Sequence, residues 1–412
     1  MRQGKKSWKV IGGLLFAIAL IAASCGDDGD AADTDSPTTT RAITAATTPP
    51  TTGTAAVATV AGCEKRGYTD PKDRSDTRQV ARCDPNTPAP KPLATETTVK
   101  VGTNFKLEFN SPVALADSLG EFKKENLKIE MVNLSYANSV PQMANGQIDV
   151  AIGGFEIAMF NAGNQGLPIR VVLANYYPPK ASNYSVPQTG LWCRRDSFTT
   201  PAAPKLKEME TMKWATAAGR GSSAMYYSVA EILKREPTFD YKKVDTQIIG
   251  SNDIPLALRN KAINCGILLD PVWIDFAADP GYVQVATQTP GEPLGHMSFG
   301  KSLLQDKKEV GDAFVRAYIR TINTYYNGDY HKDAKVMAEI QKFTGQAPEV
   351  FSKLASADSL TFDWEVRDGT LTDIQKLFLE FNLMPDLKSG PVTEDKLIDR
   401  SFYQRAVGAI VK

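Results

Sequence analysis

The run Gly219–Arg220–Gly221–Ser222–Ser223 (GRGSS) stands between an apolar strand-like stretch, residues 213–218, and an amphipathic helical one, residues 224–235. A helix opened by such a run presents unpaired backbone N–H groups, and its dipole adds about half a positive charge there. Arg220 brings a charge, Gly221 lets a ligand approach the backbone, and Ser222 and Ser223 add hydroxyl donors, so the chemistry on offer is anion binding. Ser and Gly are also ordinary N-cap residues, and a solvated Arg220 is the blander reading. A second group is Gly153–Gly154–Phe155–Glu156, where Glu156 suits a ligand ammonium with Phe155 packed beside it; a helix dipole alone also favours Glu there. Asp270, just before Pro271 and Trp273, holds the matching place further on, with N-capping as its alternative. Asn104 and Phe105, Tyr176 and Tyr177, and Asn252 fall on loops at the same strand ends. They suit the walls around a small organic body, or equally core and hinge packing.

Other chemistries find little support. Gly219 to Ala224 fits the dinucleotide fingerprint G-x-G-x-x-A, but the next strand ends Ile248–Ile249–Gly250–Ser251 without the carboxylate that holds a ribose. The two histidines, His296 and His331, stand far from every Cys, and no metal spacing, P-loop or G-x-S-x-G occurs, so no cofactor, metal or catalytic residue is expected. With 47 basic and 47 acidic residues, nothing calls for a nucleic-acid partner.

The elements that must position these loops are organised around residues 138–154, NSVPQMANGQIDVAIGG: polar turn, short helix, polar cap, strand over 148–152, glycines. The pattern recurs at residues 252–271, NDIPLALRNKAINCGILLDP. One half-module used twice implies two lobes, each ending where a ligand meets the carboxyl ends of strands. Strands over 97–102, 127–134, 148–152 and 169–173, with helices over 113–124 and 156–164, predict a mostly parallel α/β lobe. Strands over 213–218, 244–249 and 282–286 repeat the rhythm. Residues 190–195 and 296–304 read as two crossings, hence a two-segment hinge. Lobe I is then 97–185 plus 286–412, lobe II 186–285, and the segments beyond residue 308 read as helical cladding on lobe I.

Arg2, Lys5, Lys6 and Lys9 precede the apolar run 10–23, too short to span a membrane comfortably, which predicts an export signal over 1–24. Losing those four leaves a mildly acidic chain. Residues 26–60, rich in Thr, Pro, Ala and Asp, cannot bury a core and are expected to form a disordered tether spanning about 30–35 Å. Within the Cys-containing extension, which closes the 25–96 linker, Cys63 and Cys83 enclose a polar loop and are the first choice for a bridge. Cys193 and Cys265 lie in apolar strands of one lobe; a second bridge and two buried thiols both fit.

Taken together, residues 21–25 (IAASC, with Cys25 as the lipidated residue), MANGQIDVAIGG, GLPIRVVLA, WATAAGRGSSA and NDIPLALRNKAINCGILLDPVW resemble bacterial ABC-transporter substrate-binding lipoproteins of the sulfonate/taurine/nitrate and thiamine-precursor class. The likeness covers about 99–344. It departs where Gly146–Gln147–Ile148–Asp149 becomes Lys261–Ala262–Ile263–Asn264, and in the cysteine-containing extension. It implies a type II periplasmic-binding fold, an inter-lobe cleft contacted by Asn104, Gly153 to Glu156, Arg220 to Ser223 and Asp270, and delivery of the solute to a permease and its ATPase. It also implies a monomer held by lipid to the outer face of the cytoplasmic membrane. An organic anion or zwitterion, such as an aminosulfonate, is the expected ligand, and a pyrimidine the alternative. An enzyme on the same fold and a partner-binding sensory lipoprotein are the readings of other classes.

Overall fold

The computed structural model describes residues 87–177, 189–287, 294–326, 329–352, 361–384, 387 and 390–407. The expected leader, the lipidated Cys25, the tether and the Cys63–Cys83 bridge lie outside the described residues. The chain runs β1 (Thr97–Gly102), α1 (Ser111–Ser118), β2 (Leu127–Val132), α2 (Tyr136–Ala144), β3 (Val150–Gly153), α3 (Ile157–Asn164) and β4 (Arg170–Tyr177). It continues with β5 (Gly190–Arg194), β6 (Lys213–Thr216), α4 (Ser223–Arg235), β7 (Asp245–Ile248), α5 (Ile254–Arg259), β8 (Cys265–Leu268), α6 (Trp273–Ala277) and β9 (Tyr282–Thr287). It closes with β10 (Gly295–Phe299), α7 (Lys308–Tyr325), α8 (Ala334–Thr344), α9 (Pro348–Ser352), β11 (Thr361–Phe362), α10 (Thr370–Glu380) and α11 (Ser401–Val407).

These strands form two sheets, β11-β4-β10-β3-β1-β2 in lobe I and β7-β6-β8-β5-β9 in lobe II. Within each, the βαβ strands pair in parallel: β1 with β2 and β3, β6 with β7 and β8. The two crossing strands run against them. β5 lies antiparallel between β8 and β9, and β10 lies antiparallel between β3 and β4. Among the described residues, no helix is long and apolar enough to cross a membrane.

The half-module repeats in detail. Asp149, just before β3, accepts the Lys100 N–H on its Oδ2 at 2.8 Å while its own N–H donates to the Lys100 carbonyl at 3.1 Å. Asn264, just before β8, does the same to Lys213, with both distances 2.9 Å. The Asp-to-Asn departure is therefore conservative: either side chain supplies the carbonyl-type acceptor that pins a strand start to its neighbour.

Three expectations need correction. The first helix stops at Ser118 instead of running to residue 124, because Gly120 takes φ +81° and turns the chain. The C-terminal segments are not all helical, since β11 adds a strand beside β4. Nor do they clad lobe I alone: Phe378 of α10 sits edge-on against Tyr226 and Tyr227 of α4, ring centroids 4.8 and 5.8 Å away.

Residues 87–93 lie along α7. Arg316 donates to the Lys91 carbonyl at 2.8 Å and to the Glu125 carboxylate at 2.6 Å; Arg320 donates to the Pro88 carbonyl, Glu121 and Glu125. The two glutamates and Arg320 are buried, so these pairs are shielded from screening by salt. In lobe II, Cys193 and Cys265 face each other across β5 and β8 and are joined by a disulfide. Closing a loop over a separation of 72 residues, the bond restricts the unfolded chain by about 4 kcal/mol. Replacing both cysteines by alanine should lower the urea midpoint accordingly, and reductant should then have no further effect on the variant.

Candidate ligand-binding site

The strand ends of the two lobes meet directly. The Ile157 N–H donates to the Gly221 carbonyl at 3.3 Å, and Asn104 Nδ2 reaches the Ala217 carbonyl at 3.5 Å. A Cβ on Gly154 would come within 2.5 Å of Ser223 Oγ, so glycine here is what lets the lobe I loop lie against the start of α4. A Cβ on Gly153 would press on Tyr136, 2.6 Å from its Cβ and 2.9 Å from its ring. What approaches this pair of glycines is thus the protein's own other lobe and its own α2.

The expected anion site is divided by the structure. Ser222 caps α4, its hydroxyl accepting the Met225 N–H at 3.4 Å, and Ser223 is the first helical residue; both are buried at the junction. Arg220 turns away. Its guanidinium donates to the Val244 carbonyl at 3.0 Å and to the Tyr241 carbonyl, and lies 4.1 Å over the Tyr241 ring. Its charge serves lobe II's own backbone, where a planar fork and an aromatic face hold it. Gly221 contributes its carbonyl to the lobe contact.

Glu156 is the N-cap of α3 yet makes no capping bond, and its 4% exposure leaves it almost without water. Burial alone pushes its carboxyl up to about 8, so it holds a proton at neutral pH. Beside it, the Tyr136 hydroxyl pairs with Ser298 Oγ at 2.9 Å, Ser298 with His296 Nδ1 at 3.2 Å, and His296 Nε2 with the Gly154 carbonyl at 3.0 Å. Burial lowers His296 to about 3, so it is neutral and its Nε2–H is the donor to that carbonyl. Phe155 is fully buried with its ring 4.7 Å from His296, and belongs to the packing under the loop.

Asp270, followed by a cis bond to Pro271, is buried at the end of β8. Its Oδ2 accepts from Thr189 Oγ1 and its Oδ1 from the Trp273 indole N–H, each at 2.7 Å. Trp273 thereby orients Asp270 and otherwise packs in the second core of lobe II. Burial pushes Asp270 up to about 6. Tyr176 is buried, with its acidity suppressed first by burial and then by the Asp270 charge. Tyr177 continues β4 and pairs with Thr361 of β11.

Asn104, Phe105 and Asn252 line a groove of about 460 Å³ between the lobes, together with Lys106, Met131 and Phe343. Spacing missed Glu108, fully buried four residues past Asn104, and the residues around it, His331 and Tyr330. The available signal was a glutamate flanked by Leu107 and Phe109, apolar neighbours that bury what lies between them. Among the described residues, no three His, Cys, Asp or Glu side chains gather to hold a metal.

No protein-family model matches the sequence, and no curated protein matches it. The fold is shared with solved structures of binding proteins. The ligand-binding component of an ABC-type import system from Staphylococcus aureus, with zinc bound, superposes with TM-score 0.55 at 15% identity, over 75% of this chain and 99% of that one. The nitrate-binding protein NrtA from Synechocystis PCC 6803 gives 0.54 at 14% identity, over 78% and 90%. The alkanesulfonate-binding protein SsuA from Xanthomonas axonopodis pv. citri, bound to MOPS, gives 0.53 at 14%, over 71% and 96%. The architecture is thus the two-lobed α/β type II periplasmic-binding fold.

Glu156 gives a stability test with a definite sign. Its folded form holds the proton more tightly than the unfolded chain, whose carboxyl titrates near 4.5, so folding stability falls as pH rises from there to about 8. Glu156→Gln removes that penalty. The variant should match the parent at pH 4.5 and exceed it by up to about 4 kcal/mol at pH 8 in denaturant titrations; a constant difference across that range would refute the assignment.

Proposed function

We propose that the chain is the extracytoplasmic solute-binding receptor of an ABC importer, anchored by lipid at Cys25, and that it captures a small organic zwitterion between its lobes. The observation that carries this is the junction itself: Glu156, buried and unpartnered, lies in the loop that meets the first turn of α4. A carboxyl kept protonated at neutral pH donates a hydrogen bond, and with Ser223 and the α4 N-terminus it suits an anionic group such as a sulfonate or carboxylate. Because Arg220 is committed to lobe II carbonyls, it does not offer its charge to a bare inorganic anion at the junction. That favours an anion carried on a larger body whose other end is held elsewhere. Opening about the two crossing strands admits the solute; closure shuts it between the strand ends. The reading involves no chemical step, and the shared fold of importer components supports it.

A thermal-shift panel of aminosulfonates, sulfonates, amino acids, simple amines, carboxylates, nitrate and pyrimidines tests it. A solute at 100 times its Kd should add about 2.7 kcal/mol. Ser223→Ala should weaken an anionic hit about tenfold, and the hit should fade above pH 8 as Glu156 ionises. Binding of no class in the panel would remove the receptor reading.

A further inference from the structure

Glu108 does not belong to the anion end of the cleft, and its surroundings are unusual for a buried carboxylate. It sits in a short 3₁₀ turn, Glu108–Asn110, after the loop that leaves β1, and is fully buried. One oxygen, Oε1, accepts from the Tyr330 hydroxyl at 2.5 Å and from His331 Nε2 at 2.6 Å. The other, Oε2, is buried without a hydrogen-bond partner. Such an atom forfeits its hydration for nothing unless something else supplies a donor.

The opposite lobe faces it with another carboxylate. Asp270 feels the Glu108 charge, which raises its pKa, and His331, which opposes the rise; these are the charged groups that act on it. Thr189 before β5, Trp273 of α6 and Tyr176 of β4 complete its surroundings. Two acids of opposite lobes thus lie within electrostatic reach of each other, and among the described residues no lysine or arginine acts on Asp270. Aromatic rings connect the place to the groove: Phe105 lines the groove, Phe109 lies 5.5 Å from Phe105, and Tyr176 lies 4.8 Å from Phe109. Carboxylates with an aromatic face make a cation site. Among the described residues no three such side chains gather as metal ligands, and the orphaned Glu108 oxygen calls for a hydrogen-bond donor.

We propose that Glu108 of lobe I and Asp270 of lobe II are the two jaws of an ammonium subsite, which takes the protonated amine of the solute and draws the lobes shut around it. The inference rests on the receptor reading and adds to it the group the solute must carry. An ammonium supplies a donor to Glu108 Oε2, shares itself with Asp270, and converts a repulsion between lobes into an attraction. Closure is then coupled to binding, since neither jaw alone offers both acids.

The test is a matched pair of probes, taurine and isethionate, which differ by an amine against a hydroxyl, run on the full chain by calorimetry alongside β-alanine, ethanolamine, propionate and acetate. Taurine should bind about tenfold or more tightly than isethionate, and β-alanine than propionate. Glu108→Gln should bring that ratio towards one, weakening taurine by a larger factor than isethionate. Should that variant fold poorly, the parent protein carries the test: the amine preference should shrink between pH 7 and pH 5, as Asp270 takes up its proton. Equal binding of taurine and isethionate, or a preference that persists in Glu108→Gln and at pH 5, would overturn the subsite and leave the receptor standing. Silence from every probe would remove both.

Discussion

Everything in the cleft depends on how closely two backbone turns can approach. A methyl group at Gly154 would come within 2.5 Å of Ser223 Oγ, beside the bond from the Ile157 N–H to the Gly221 carbonyl. Contact at that distance leaves no room for water around the neighbouring carboxyl, which is why Glu156 titrates where an amine or phosphate normally would. The approach in turn requires each strand to end at the right height. Asp149 and Asn264 set that height, each pinning its strand to a neighbour through a reciprocal pair of bonds.

The repeat was legible because it is written in residue types that physics constrains. A polar turn, a short helix, an amide or carboxylate acceptor and a β-branched strand must follow in that order to build a pinned strand, whatever else surrounds them. The two crossings were legible for a similar reason, as apolar runs out of phase with the βαβ rhythm. Less legible was the packing of α10 on lobe II. An amphipathic helix announces that one face is covered, but not by which element, and Phe378 could have met any apolar surface. The same ambiguity misled the reading of Arg220. Its place in the GRGSS run says that a charge is near a helix start, while its direction is decided by Tyr241 and two carbonyls some twenty residues away.

Glu108 shows the limit from the other side. No motif marks it, because what sets it apart is an acceptor oxygen left without a donor and an electrostatic reach to Asp270 of the other lobe, neither of which sequence encodes. Buried acids of this kind are expensive to keep, and their cost is informative: a fold that leaves three carboxyls at one lobe junction has given up stability there.

The segment 87–93, strapped along α7 by Arg316 and Arg320, has a mechanical meaning. A pull on this segment would load the pairs of Arg316 and Arg320 with Glu121 and Glu125, and through them the long helix of lobe I. The chain that enters at residue 87 is thereby bound to lobe I before its first strand begins.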